Sequence, residues 1–147
     1  MKLIAILLLL SITATAQRIN TQLTYTATGQ AGAGIGFTTA KGYGITLQHY
    51  ADVSYKTESE IFTTRKGTIL SLSKRLMPAI EVNIGAGYCK TDRHNENNEW
   101  DNFKTFAIYQ IGTDVRLCRN FGLVSGAFFG YGLVEVYSGV RVSINIK

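Results

Sequence analysis

Two cysteines in 147 residues are too few for a disulfide-dense scaffold or a four-cysteine zinc site. The chain has one proline and one tryptophan. Its longest apolar run, at the N-terminus, is shorter than the ~20 residues a bilayer-spanning helix needs. Only 17% of residues are charged and 46% are apolar, which excludes disorder as the main state. Basic residues exceed acidic ones, with a net charge of +5, but no Lys/Arg run is longer than two, at Arg65-Lys66 and Lys74-Arg75. A charge so dispersed does not point to nucleic acid. After residue 16 there is no helical stripe of apolar residues, and the length suits one domain.

The first sixteen residues have the form of an export signal. Met1-Lys2 is positive, Leu3 to Leu10 is uninterrupted apolar chain, and Ala14-Thr15-Ala16 is a small-x-small cleavage site. Cleavage is expected after Ala16, leaving residues 17–147 as one domain of net charge +4. No cysteine follows the site to mark a lipoprotein.

The rest of the chain alternates with a period of two. Tyr43, Ile45, Leu47, His49, Ala51, Val53 and Tyr55 are mostly apolar; Gly44, Thr46, Gln48, Tyr50, Asp52, Ser54 and Lys56 are mostly polar or small. The pattern returns in 79–90 and 134–146. Eight strands are expected, at 19–27, 31–39, 43–56, 61–74, 79–90, 103–117, 121–131 and 134–146. The links check the assignment, because their length fixes which residues pair. Ala40-Lys41-Gly42 pairs Thr39 with Tyr43 and puts glycine at the left-handed position of a three-residue hairpin. Cys118-Arg119-Asn120 pairs Leu117 with Phe121, and the four-residue link 57–60 sets 56 against 61. Links 40–42, 75–78 and 118–120 are tight; they alternate with 28–30, 57–60, 91–102 and 132–133, of which 91–102 is long and polar. That is the habit of an up-and-down transmembrane barrel.

Alternation alone leaves the facing open. A soluble lipocalin-like barrel would turn the apolar side inward around a small apolar ligand. Glycine argues the other way: Gly32, Gly34, Gly36, Gly44, Gly67, Gly85, Gly87, Gly112, Gly122, Gly126 and Gly130 all fall on the polar side, with the remaining four of the 15 assigned to turns or strand ends. A water-facing strand gains nothing from glycine, whereas a narrow lumen needs it beside Tyr50, Phe106 and Phe128. The apolar side is also banded. Phe37, Tyr43 and Phe121 lie by the tight turns, Tyr25, Tyr55, Phe62, Tyr88, Phe103 and Tyr131 at the far ends, and aliphatic residues between, as bilayer interfaces favour. His49 and Thr68 are the polar exceptions on that side.

With its signal, eight alternating strands, tight turns and girdles, the chain resembles the small eight-stranded outer-membrane barrels of Gram-negative bacteria, the OmpX and OmpA transmembrane-domain type. The resemblance covers residues 17–147 and rests on pattern. It implies a closed all-β antiparallel barrel in the outer membrane, surrounded by lipid, inserted by the barrel assembly machinery and presenting loops to an extracellular partner.

The polar-side charges are expected in the lumen. With 56 against 61, Asp52 stands opposite Arg65 as an ion pair, and Glu81 and Arg116 form a second near the tight turns, since buried charges need partners. Eight strands leave no aqueous channel, so these groups read as a plug. The segment 91–102 carries Arg93, His94, Glu96, Glu99 and Trp100 and is the expected partner-binding loop, although it lacks the spacing and glycine of a calcium loop. No catalytic set, metal site or cofactor is expected: His94 has no serine in its loop, and His49 faces outward. Cys89 and Cys118 fall at opposite strand ends, ~25 Å apart by strand rise, beyond disulfide reach.

Overall fold

The computed structural model describes residues 16–52, 62–94, 100–130 and 133–146. They form β1 (Ala16–Thr26), β2 (Gln30–Thr39), β3 (Tyr43–Asp52), β4 (Phe62–Met77), β5 (Ile80–His94), β6 (Trp100–Arg116), β7 (Phe121–Gly130) and β8 (Leu133–Asn145). Every strand pairs antiparallel with its neighbour in sequence, and β1 pairs β8 from Arg18↔Asn145 to Thr26↔Tyr137, so the sheet is a closed barrel. Closure leaves no strand edge unpaired.

The registers follow from the links. Thr38↔Gly44 continues to Thr39 opposite Tyr43, with Gly42 at φ 78° in the turn. Arg116↔Gly122 continues to Leu117, whose N–H donates to Phe121 O at 3.0 Å. The β3–β4 ladder, from Tyr43↔Lys74 to Ala51↔Lys66, is the register expected from the link at 57–60, which itself lies outside the described residues together with Tyr55.

Three expectations about strand ends are corrected. The segment 91–102, expected as a loop, is strand at both its ends: β5 runs to His94 and β6 starts at Trp100, with a register shift between Thr91 and Arg93. A ladder that projects beyond a membrane is wetted on both faces, so polar composition does not end it. At the other end β4 continues through an irregularity between Arg75 and Met77, so Pro78-Ala79 is the whole turn where 75–78 was expected. Gly139 lies within β8 rather than at its end, facing inward. A Cβ there would collide with the backbone oxygen of Leu23.

The facing is apolar outward. Leu23, Ile84, Val136 and Ile144 are each more than 60% exposed, whereas Gln48, Ser71, Glu81, Gln110, Glu135 and Arg141 are buried. This overturns the lipocalin-like alternative, because the interior is not an apolar ligand cavity. The outward exceptions pair with each other: His49 Nδ1 and Thr68 Oγ1 are 3.0 Å apart, which satisfies both groups within the apolar surface.

Candidate functional site: the filled lumen and its two ends

Among the described residues the lumen contains three layers of side chains. At the end carrying the tight turns, Glu81 sits opposite both Arg75 and Asp114 in the ladders. Its Oε1 accepts from Arg75 Nε at 3.4 Å and from Arg116 Nη2 at 3.3 Å, and its Oε2 from Arg141 Nη1 at 3.0 Å. Arg141 Nη1 also donates to Asp114 Oδ2. Glu81 and Arg116, paired on parity in the sequence, are thus in contact within a larger network. Arg141 and Asp114 shared that inward parity, whereas Arg75 had been assigned to a turn. Gly122 stands in register between Arg116 and Arg141. Arg18 closes the seam, donating from Nε to Asn145 Oδ1 at 2.9 Å.

The middle layer is a neutral amide and hydroxyl relay. Gln22 Nε2 donates to Gln48 Oε1 at 2.9 Å, and Gln48 Nε2 to Thr24 Oγ1 at 2.6 Å. Ser71 Oγ donates to Gln110 Oε1 at 2.8 Å, and Gln110 Nε2 to Tyr137 OH at 2.6 Å and Asn83 Oδ1 at 3.2 Å. These buried amides thus find protein partners, as burial requires. A residual space of about 10 Å³, lined by Ser71, Asn83, Gln110, Asp114 and Tyr137 among others, is no larger than one water needs.

The third layer is aromatic. Phe128 stacks between Tyr50 and Tyr137, with ring centroids 4.8 and 4.5 Å away. Ile69, Ile108 and Cys89 complete this core, with Phe106 against it. Glycine provides the space: a Cβ at Gly67 would stand 2.9 Å from the Tyr50 ring, and one at Gly126 2.6 Å from the Tyr137 hydroxyl. Above the rings, Arg65 Nη1 reaches Glu135 Oε1 at 2.6 Å, and Thr28 Oγ1 donates to the same oxygen at 2.6 Å.

The expected Asp52–Arg65 pair is only partly described. The β3–β4 register carries Asp52 to Arg65, but the Asp52 side chain lies outside the described residues. Glu135, the described partner of Arg65, was missed in the sequence although its parity matches that of Arg141. Of the candidate loop residues, Arg93, His94 and Trp100 are on strands, where Arg93 pairs Asp101 and His94 pairs Trp100. Glu96 and Glu99 lie outside the described residues. Cys89 is buried near the loop end, and Cys118 is exposed at the turn end.

No protein-family model matches the chain, and no curated protein matches it. Solved structures do. The N-terminal β-barrel domain of Pseudomonas aeruginosa OprF is 16% identical with a TM-score of 0.60, over 86% of this chain and 96% of that one. The Yersinia pestis outer-membrane protein Ail, in a phospholipid bilayer nanodisc, is 8% identical with a TM-score of 0.68, over 87% and 99%. Ail in complex with the heparin analogue sucrose octasulfate is 12% identical with a TM-score of 0.55, over 86% and 94%. The fold is that of the small outer-membrane barrels.

Proposed function

We propose that this chain is an integral outer-membrane protein, exported on residues 1–16, cleaved after Ala16 and inserted by the barrel assembly machinery. Its lumen is closed by its own side chains, and it acts on other molecules at the end opposite the tight turns. It is not a general porin and not an enzyme, and it uses no cofactor. The observation that carries this reading is the lumen itself: charged, amide and aromatic layers follow one another among the described residues, and the cavity in the amide layer has space for about one water. A wall apolar outside and polar inside suits hydrocarbon around the barrel.

The surface role rests on the segment 91–102. It carries Asp92, Glu96, Glu99 and Asp101 against Arg93, with His94 and Trp100. β5 continues past the girdle residue Tyr88 to His94, and β6 begins at Trp100. Ail binds the heparin analogue sucrose octasulfate; here the excess of acid favours a cationic partner surface, with Trp100 as an apolar anchor.

The test begins with gel migration of the detergent-extracted mature chain, unheated and heated. Faster unheated migration from the outer-membrane fraction is expected, with no steady conductance in a planar bilayer. Recovery in the soluble fraction without a heat shift would refute the membrane reading. A steady open conductance would refute the closed lumen. Exchange of 93–100 for a Gly/Ser linker is expected to keep the heat shift while abolishing binding to an immobilised lysine-rich peptide.

A further inference from the structure

The turn-end mouth holds more positive charge than its own carboxylates neutralise. Among the described residues four arginines converge there, Arg18, Arg75, Arg116 and Arg141, against Glu81 and Asp114. Arg141 is buried and lies between the two acids. Arg75 and Arg116 share what remains, both reaching one oxygen of Glu81 at 3.4 and 3.3 Å. Charge-assisted bonds of this kind ordinarily close to about 2.7–2.9 Å. Arg18 has the neutral amide of Asn145. Arg116 and Arg75 lie close enough to Arg18 for their charges to act on it, and Arg75 close enough to act on Arg116.

Their exposure is graded. The Arg141 side chain is 5% exposed, while those of Arg116 and Arg75 are 18% and 24% exposed. The inner guanidinium is sealed in and the outer ones border water. Gly42 turns at positive φ against Arg75, where a Cβ would stand 2.7 Å from the Arg75 Cβ, and Gly122 is the register partner of Arg116.

We infer that this mouth is an oxyanion site that takes a phosphate group on Arg18, Arg75 and Arg116. Guanidinium forks match phosphate oxygens in shape, and a low-dielectric rim strengthens the attraction. Charge selects phosphate over a carboxylate: a phosphate monoester carries about −1.5 to −2 at neutral pH, matching the surplus of two cations, whereas a carboxylate leaves one unmatched. The mouth opens within the ring of turns rather than on the outer wall, which favours a soluble phosphate over a lipid headgroup. The site requires a closed barrel but not the proposed loop partner. A barrel with the heat shift and no phosphate effect therefore fails this inference alone.

The experiment uses the full mature chain folded in neutral detergent and reads the midpoint of its heat-induced gel shift, in inorganic phosphate against chloride at equal ionic strength. Phosphate is expected to raise the midpoint by several degrees. The Arg75→Gln/Arg116→Gln double variant is expected to lose most of that rise, and Lys66→Gln, at the opposite end, to keep it. Broadening of the ³¹P resonance by the wild-type barrel, absent with the double variant, is the second readout. Equal midpoints in the two salts, or an undiminished rise in the double variant, would overturn the site. Nanodiscs locate the source: protection by phosphatidylglycerol without free phosphate assigns a lipid headgroup, and protection only by added phosphate to phosphatidylcholine discs assigns a soluble anion.

Discussion

The two ends of the lumen are lined by different chemistry. At the turn end, three arginines and two acids interlock, with Glu81 receiving three guanidiniums and Arg18 bonded to Asn145 beside them. At the loop end, a stack of Tyr50, Phe128 and Tyr137 fills the bore beneath one described ion pair, Arg65–Glu135. The contrast follows from what each end can anchor. Tight turns fix the backbone, so several long charged side chains can be held in one geometry at small entropic cost. Below longer links, rings with few rotatable bonds fill the bore by shape. One end is therefore sensitive to charge and the other to volume.

The largest expected effect comes from breaking the charged end. Glu81→Leu strands three arginines, one of them buried, and should cost about 3–5 kcal/mol in urea unfolding from lipid vesicles. Phe128→Ala tests the volume end. It should cost a similar ~3–5 kcal/mol and, unlike Glu81→Leu, introduce flickering conductance; a silent bilayer with this variant would mean the charged layer alone seals the bore. Leu47→Arg probes the wall rather than either plug. At mid-belt the charge should cost about 2–4 kcal/mol in vesicles, and an unchanged unfolding curve would place the strand face in water. Glu135→Gln leaves Arg65 partly hydrated, so its expected cost is ~1 kcal/mol, well below that of Glu81→Leu. If the two match, the ends do not differ in the way described. Smallest is Lys74→Gln, which removes a cation held 3.4 Å above the Tyr43 ring and should cost ~0.5–1 kcal/mol.

Most of the barrel was legible in the sequence because a period of two leaves one choice of face, and link length then fixes register. Glycine on the polar side resolved the facing, since Gly67 and Gly126 make room for inward rings. The ends of strands were less legible. Ladder hydrogen bonds carry β5 to His94 and β6 back to Trp100 through residues whose polarity reads as loop. The same limit hid parts of the site. Arg75 was assigned to a turn that the β4–β5 ladder absorbs, and Arg18 preceded the expected start of β1. Glu135 and Tyr137 sat close to an uncertain strand start, although parity with Arg141 placed them inside. Glu81–Arg116 was readable, although both lie at the turn ends of β5 and β6, because both fall inside the expected strands 79–90 and 103–117, where parity faces them inward.

The β1–β8 seam has a consequence for how the molecule comes into being. Arg18 pairs Asn145, so the first and last strands zip together across almost the whole sequence. Until β8 has arrived, β1 and β7 each present a row of unpaired amides and carbonyls, and no shorter set of strands satisfies them. Ring closure is also the most non-local pairing in the chain and gives no return until its full loop entropy has been met. The barrel therefore closes only once the whole chain is present. A copy lacking β8 is expected to be a substrate for proteolysis rather than a seven-stranded version of the same protein.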